Sequence, residues 1–308
     1  MIRAMLKTLK WLAIALVVIV LMLLAPVGYV ETFCRGTLVE THASPLMTDP
    51  AQLRAEANTY LTYPEWHIVY AYDGIAEVLK HGDEYGFGYL SSVAGFWSST
   101  CDLMAVADAH GGADGATRLM IHTIGASFTL EMAMKAAYED MLGGAFALLR
   151  GPQKTPQDII ARDMAVDYAG FLRQTPWYKY DFERWRAILW NAPIENGPRG
   201  WERRLALGGE WRAKTAYASA IAAGVAATEE AKLTIWSLVD GLPAADLAAM
   251  PDIGATRPAG DRVLIETPRY DIFTHIIADV TAKGGRFVEI AGNDDIMVSL
   301  TLPRDVAY

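Results

Sequence analysis

The first thirty residues constrain this chain more than any other stretch. Arg3, Lys7 and Lys10 lead into an apolar run, Trp11 to Val30, that contains no charged residue. At roughly 1.5 Å of rise per residue, a helix over that run is about 30 Å long, the thickness of a bilayer's hydrocarbon core. The competing reading is a cleaved secretory leader, whose apolar stretch is usually ~7–15 residues and ends at a small-x-small site. The exit here, Ala25-Pro-Val-Gly-Tyr-Val-Glu-Thr-Phe-Cys34, offers no such site, and Cys34 lacks the small neighbours of a lipoprotein cysteine. The run is therefore read as an uncleaved anchor, with residues 11–30 meeting the membrane. Pro26 and Gly28 loosen its last turn, where the helix leaves the lipid.

Basic residues orient the anchor. Three precede it, and only Arg35 follows within residues 31–50. The positive-inside rule then keeps the N-terminus cytoplasmic and exports residues 31–308, in a bacterium from the inner (cytoplasmic) membrane into the periplasm. Three of the 27 basic residues and none of the 36 acidic ones precede Glu31, so the remainder carries a formal net charge of −12. That acidity argues against nucleic acid as a partner and against flat adsorption to anionic lipid. Two cysteines, Cys34 and Cys101, are too few for a disulfide framework. They could pair in an exported domain, but the simpler expectation is two unpaired thiols, Cys34 at the membrane exit and Cys101 in a helical core.

Beyond the anchor the periodicity is mostly helical. Residues 31–48, with turn formers, His42 and Pro45, read as a linker, and 49–240 as a helical, bundle-like domain. Asp49-Pro50-Ala51-Gln52 has the grammar of a helix start, followed by Leu53, Ala57, Tyr60 and Leu61 on one face. Thr155-Pro156-Gln157-Asp158 repeats that grammar, with Ile160, Met164, Tyr168 and Phe171 as the inner stripe. A further helix covers Asp181 to Trp190, with Phe182, Trp185, Ile188 and Leu189 inward, before a break over 191–200. Trp201 to Asp240 reads helical again, interrupted at Gly208-Gly209, and its Ala/Ser/Gly-rich part (213–228) suits close helix packing. Neither that part nor Leu119 to Met134, which contains Glu131, reads as a second span. A loop over 241–261 precedes a C-terminal β-α-β-β unit (262–308): strands at 262–266, 286–291 and 296–302, and a helix at 270–282 whose stripe is Phe273, Ile276, Ile277 and Val280. The fold class is thus mainly α, with a single N-terminal transmembrane helix and a small C-terminal α+β unit.

Two clusters could carry chemistry. In Thr62-Tyr-Pro-Glu65-Trp-His67, the candidate catalytic pair is Glu65 with His67, which share a face if extended. If helical, they point about 200° apart, and the stretch becomes a helix start with His67 in an aromatic core. The second cluster is His122 with Glu131, Lys135 and Glu139, the last three spaced i, i+4, i+8. Such a ladder usually makes surface or interhelix ion pairs worth a few tenths of a kcal/mol. His122 is about half a turn out of phase with Glu131, and no Glu-x-x-His pair of a di-metal bundle accompanies it. A metal held by Glu65, His67, His122 and Glu131 would need them to converge in three dimensions. Asp163 and Asp167 form a like-charge i, i+4 pair for Arg162 and Arg173 to relieve.

Hydrolase elbow, phosphate-loop, His-Glu-x-x-His and Cys-x-x-Cys patterns do not occur. Glycines 82, 86 and 88 follow no strand, so they make no dinucleotide fingerprint. No motif requires a cofactor; a divalent metal is the one these side chains could hold. The sequence favours an exported domain that binds or assembles with a membrane protein or an apolar small molecule. The alternative is an anchored, metal-dependent enzyme acting on a lipid-like substrate.

Overall fold

The computed structural model describes residues 2–40, 44–195, 197–228 and 233–297. The chain is mainly helical, with an apolar N-terminal helix and a small antiparallel sheet near the C-terminus. Helix α1 is Ile2–Phe33; its segment Leu9–Phe33, whose most apolar 18 residues have mean hydropathy 2.7, is, among the described residues, the one helix long and apolar enough to cross a membrane. In chain order follow α2 (Glu56–Thr62), α3 (Trp66–His81), α4 (Tyr89–Ala109), α5 (Gly115–Tyr138), α6 (Gly144–Arg150), α7 (Pro156–Leu172), α8 (Phe182–Asn191) and α9 (Pro198–Thr228). The C-terminal part runs β1 (Thr234–Asp240), α10 (Ala244–Ala248), β2 (Ala255–Ala259), β3 (Arg262–Pro268), α11 (Asp271–Ala282) and β4 (Arg286–Ile290).

These elements sort into two compact units, neither continuous in sequence. The first gathers Met1–Cys34, Pro64–Cys101 and Leu119–Leu233; the second gathers Arg35–Tyr63, Asp102–Arg118 and Thr234–Tyr308.

In the helical unit α3 packs along α7, and α8 along α9. Ile75, Phe96, Ile121, Phe128, Met132, Met164, Tyr168, Phe182, Leu189 and Trp211 are buried there. Helix α7 begins as expected: Thr155 and Asp158 cap each other's backbone, with Pro156 in the first turn. On α8 the inner side narrows to Phe182 and Leu189, while Ile188 is exposed. The expected interruption at Gly208-Gly209 does not occur. Helix α9 runs through it, and a Cβ at Gly208 would lie 2.7 Å from the Trp190 indole nitrogen. The glycine there serves close packing rather than a break.

The sheet of the second unit has strand order β2-β3-β1-β4, antiparallel throughout. Its core is Val239, Val263, Ile265, Leu247, Met250, Ile276 and Val280. The α11 stripe and the strands at β3 and β4 match the expectation from periodicity. Helical character is expected up to Asp240, but Thr-Ile-Trp-Ser-Leu-Val-Asp (234–240) instead forms β1, an inner strand of the sheet. β-Branched and aromatic residues favour that pleated, two-sided burial over a helix. Strand β2 lies inside the stretch read as loop, and its Pro258 is tolerated because β2 is an edge. Most of the expected strand over 296–302 lies outside the described residues, as does His42.

The helix expected from Asp49 is a single tight turn, Pro50–Gln52, in which Asp49 accepts from the Ala51 amide at 3.0 Å; Gln52 closes no capping box. Leu53 is extended, and α2 starts at Glu56, burying Ala57, Tyr60 and Leu61. Within this unit the segment read as a linker is also engaged. The Arg35 guanidinium grips Asp108 at 2.7 and 2.8 Å, and the Leu46 and Met47 amides donate to Glu289 at 2.6 and 3.0 Å.

Candidate functional site

The C-terminal end of α1 is built into the helical unit. Val30 in its last turn is 1% exposed. Glu31 accepts from His122 Nε2 on α5 at 2.8 Å, and Trp97 of α4 stacks on that imidazole. Cys34 and Cys101 form a disulfide, with their Cα atoms 5.0 Å apart, correcting the expectation of two unpaired thiols. Sequence spacing could not show this, because the pairing depends on α1 ending beside the middle of α4.

Inside the same unit runs a continuous chain of ion pairs. Lys214 of α9 lies 2.6 Å from Glu131 and donates to the Tyr72 hydroxyl at 2.6 Å; Tyr72 in turn donates to Glu131. Lys214 also approaches Glu210 at 3.4 Å, and Lys135 joins Glu210 at 3.0 Å to Glu84 at 2.7 Å. Arg203, 1% exposed, takes Glu84 at 3.1 Å and both Glu139 and Glu202 at 2.7 Å. From Glu202 the chain passes through Arg199 at 2.8 Å to Asp158 at 2.9 Å, then through Arg150 to Asp83, both at 2.9 Å. It closes on Lys154 at 2.7 Å. The side chains of Glu131 and Lys154, at the two ends, are 30% and 33% exposed, and that of Glu210 is 25% exposed; the other groups are more deeply buried.

Electrostatics follow from the burial and the order of charges. Burial pushes the Glu210 carboxyl up, but Lys135 and Lys214 outweigh it and bring it down to about 2. Burial would lower Lys214, yet Glu131, Tyr168 and Glu210 hold it above the usual lysine range. The rings of Tyr72, Tyr168 and Phe182 add cation–π contacts at 4.8, 5.2 and 5.4 Å. Glu139 behaves oppositely: burial first, then the Glu84 carboxylate, push it up to about 7 despite Arg203. Its second oxygen has no hydrogen-bond partner among the described residues. Along this chain carboxylates outnumber cations by one, so a proton on Glu139 neutralises it.

The local backbone explains why Glu139 sits there. Residues Glu139–Gly143 form one π-helical turn between α5 and α6, a widening often found at functional positions. A Cβ on Gly143 would overlap the Glu139 carboxylate and lie 3.0 Å from Arg203 Nη2, so only glycine leaves room for the pair.

Two hollows flank this chain within the unit. The first, about 20 Å³ among Tyr72, Glu84, Lys135, Glu210 and Lys214, has room for one water. The second is an open groove of about 170 Å³, lined by Tyr178, Tyr180, Phe182, Thr215 and Ser219 among others. The buried Tyr178 hydroxyl has no hydrogen-bond partner among the described residues. Tyr180 and Phe182 also pack on Tyr168, so this aromatic wall stands between the groove and the Lys214 ammonium.

Each candidate from the sequence has a definite place. Glu65 ends a tight turn before α3, and His67 sits in the first turn of α3, edge-on to Tyr70 at 5.7 Å. Burial holds the His67 imidazole below its ordinary pKa. Glu131 is engaged by Tyr72 and Lys214, and His122 by Glu31. Among the described residues, the trio of His, Asp or Glu groups close enough to share a metal is Glu56, His110 and Asp295, and it includes none of those four. The Glu131–Lys135–Glu139 ladder does not pair with itself in this chain; Lys135 turns to Glu84 and Glu210. Arg162 pairs with Asp163 as expected, whereas Arg173 reaches Asp73 and Asp167 accepts from Tyr180 and Trp185.

Sequence reasoning did not reach Glu84, Arg199, Glu202, Arg203, Glu210 or Lys214. A signal existed: Arg203, Glu210 and Lys214 share the spacing of Leu207 and Trp211, both buried, so the inner face of α9 carries charge. No family model, no curated protein and no solved structure matches this chain.

Proposed function

We propose that this is an exported, single-pass membrane protein whose helical unit binds a membrane partner from a fixed pose at the bilayer surface. The observation that carries the reading is the junction at Glu31–Cys34, where a disulfide, a side-chain hydrogen bond and a buried turn join the anchor to the helices. A domain that only needs to stay near a membrane can hang on a flexible linker. Holding it rigidly is useful when a partner must be met at one height and orientation. The groove at Tyr178 and Phe182 is too small for most drug-sized ligands but suits one apolar side chain or acyl segment of such a partner. The disulfide supports the exported, periplasmic orientation inferred from Arg3, Lys7 and Lys10.

The test is photocrosslinking in native membranes from Tyr217, which is 44% exposed and packs on Trp177 beside the groove. One defined membrane protein should be captured, and Cys34→Ser with Cys101→Ser should cut the yield severalfold at equal expression. Capture of no protein, or a yield indifferent to the disulfide, would overturn the proposal.

The second reading, an anchored enzyme acting on a lipid-like substrate, rests on the water-sized hollow between Lys135, Lys214, Glu84 and Glu210. A metal version through Glu131 has Lys214 as a competitor for the same carboxylate at 2.6 Å. Metal analysis of the purified protein, with His67→Ala and His122→Ala, separates the two classes.

A further inference from the structure

We infer that the second unit holds a first-row divalent metal of the zinc class on Glu56, His110 and Asp295. This lies outside the helical unit and is independent of the partner-binding proposal. The three residues come from distant parts of the chain: the first turn of α2, the residue after α4, and the segment after β4. Yet one donor atom from each lies within 4.8 Å of the other two.

The local contacts orient the set. His110 Nδ1 is 3.2 Å from a Glu56 oxygen, and its Nε2 is 3.4 Å from the Tyr60 hydroxyl. The Tyr60 ring packs against the imidazole with centroids 4.8 Å apart and planes tilted by 41°, which restricts its rotation. Donors about 2.1 Å from a tetrahedral zinc stand about 3.4 Å apart, so small side-chain rotations close the set. One imidazole with two carboxylates and an open fourth position is a zinc-like donor set, and the nitrogen disfavours calcium or magnesium, which take oxygen ligands. The side chains of Glu56 and His110 are 18% and 30% exposed, and Asp295 is exposed, so an ion can enter from solvent.

Bound metal would tie the α2 segment and the end of α4 to the chain leaving β4. The unit already makes that connection through two hydrogen bonds, from the Arg54 backbone N–H to Ala291 O at 2.7 Å and from the Asn293 side-chain Nδ2 to Arg54 O at 3.0 Å. A ligand that binds only the folded state stabilises it in proportion to the logarithm of its concentration over Kd.

The test is calorimetric titration of the metal-stripped full-length protein in detergent with zinc chloride, and separately with calcium chloride. The expected result is one equivalent of zinc bound, no calcium binding, at least tenfold weaker zinc binding in His110→Ala, and several-fold weaker binding in Asp295→Asn. Cobalt should give visible ligand-field absorption in the wild type and lose it in His110→Ala. Absence of stoichiometric zinc, or an affinity unchanged in His110→Ala, overturns the inference. Should His110→Ala fail to fold, the exposed Asp295→Asn variant decides, and an unchanged affinity there overturns it equally.

Discussion

Replacing Glu139 by glutamine tests the electrostatic account of the helical core. The Glu139 carboxyl is 3% exposed and is pushed from 4.5 to about 7, by burial and then by Glu84. Below pH 4.5 the group is protonated in both the folded and unfolded chain. Between 4.5 and about 7 the folded state keeps a proton that the unfolded chain releases, so stability falls as pH rises. A shift of roughly 2.5 units at 1.36 kcal/mol each makes the total loss about 3 kcal/mol. Glutamine keeps the shape and the Arg203 contact but binds no proton, so the variant lacks this slope. Glu210 and Asp158 titrate at lower pH with the opposite sign, and they do so in both proteins. Urea unfolding of wild type and Glu139→Gln, followed by tryptophan fluorescence across about pH 4.5 to 8, isolates the difference. The wild type should lose about 3 kcal/mol relative to the variant over that range. Parallel stability curves would refute a neutral Glu139 and, with it, the neutrality of the network.

Other outcomes follow from the same geometry. Arg203→Leu strands Glu84, Glu139 and Glu202 in the interior and should destabilise by about 3–5 kcal/mol, measured by the same unfolding assay. Gly143→Ala gains up to about 1 kcal/mol of helix propensity but meets the Glu139 carboxylate and Arg203, so a net loss of about 1–2 kcal/mol is expected. Cys34→Ser with Cys101→Ser opens a loop of sequence separation 67; chain entropy sets the loss near about 4 kcal/mol, read as a lower urea midpoint. Ile265→Ala, at a position fully buried in the sheet core, should cost about 2–5 kcal/mol and lower the midpoint of the second unit's transition.

Much of the fold was legible because it is written in local pattern. The apolar helix α1, the Thr155 cap, the α11 stripe and the β3 and β4 strands each depend on side chains a few residues apart. Strand β1 was not, because Thr234–Asp240 becomes a strand only when β3 and β4 flank it on either side. The tight turn at Pro50–Gln52 shows the same limit: a capping box closes only when the following turn is helical, and Leu53 is extended.

The sites show the limit more sharply. Glu131, Lys135 and His122 were visible as unusual residues on one helix, but their partners are Lys214, Glu210, Glu84 and Glu31, up to 91 positions away. Glu56, His110 and Asp295 were not visible as a set at all, since no sequence spacing links them.

What the sequence alone determined is therefore what hydrophobic length, charge count and short-range periodicity control: a membrane-length helix, an acidic mainly helical remainder and a small C-terminal α+β unit. Tertiary structure decided the Cys34–Cys101 bond, the ion network through Arg203, and the division into two discontinuous units. The reason is physical. Hydrophobic burial is non-directional and is encoded in composition and period, whereas an ion pair or disulfide needs atoms within a few ångströms, a distance that only the packed chain supplies.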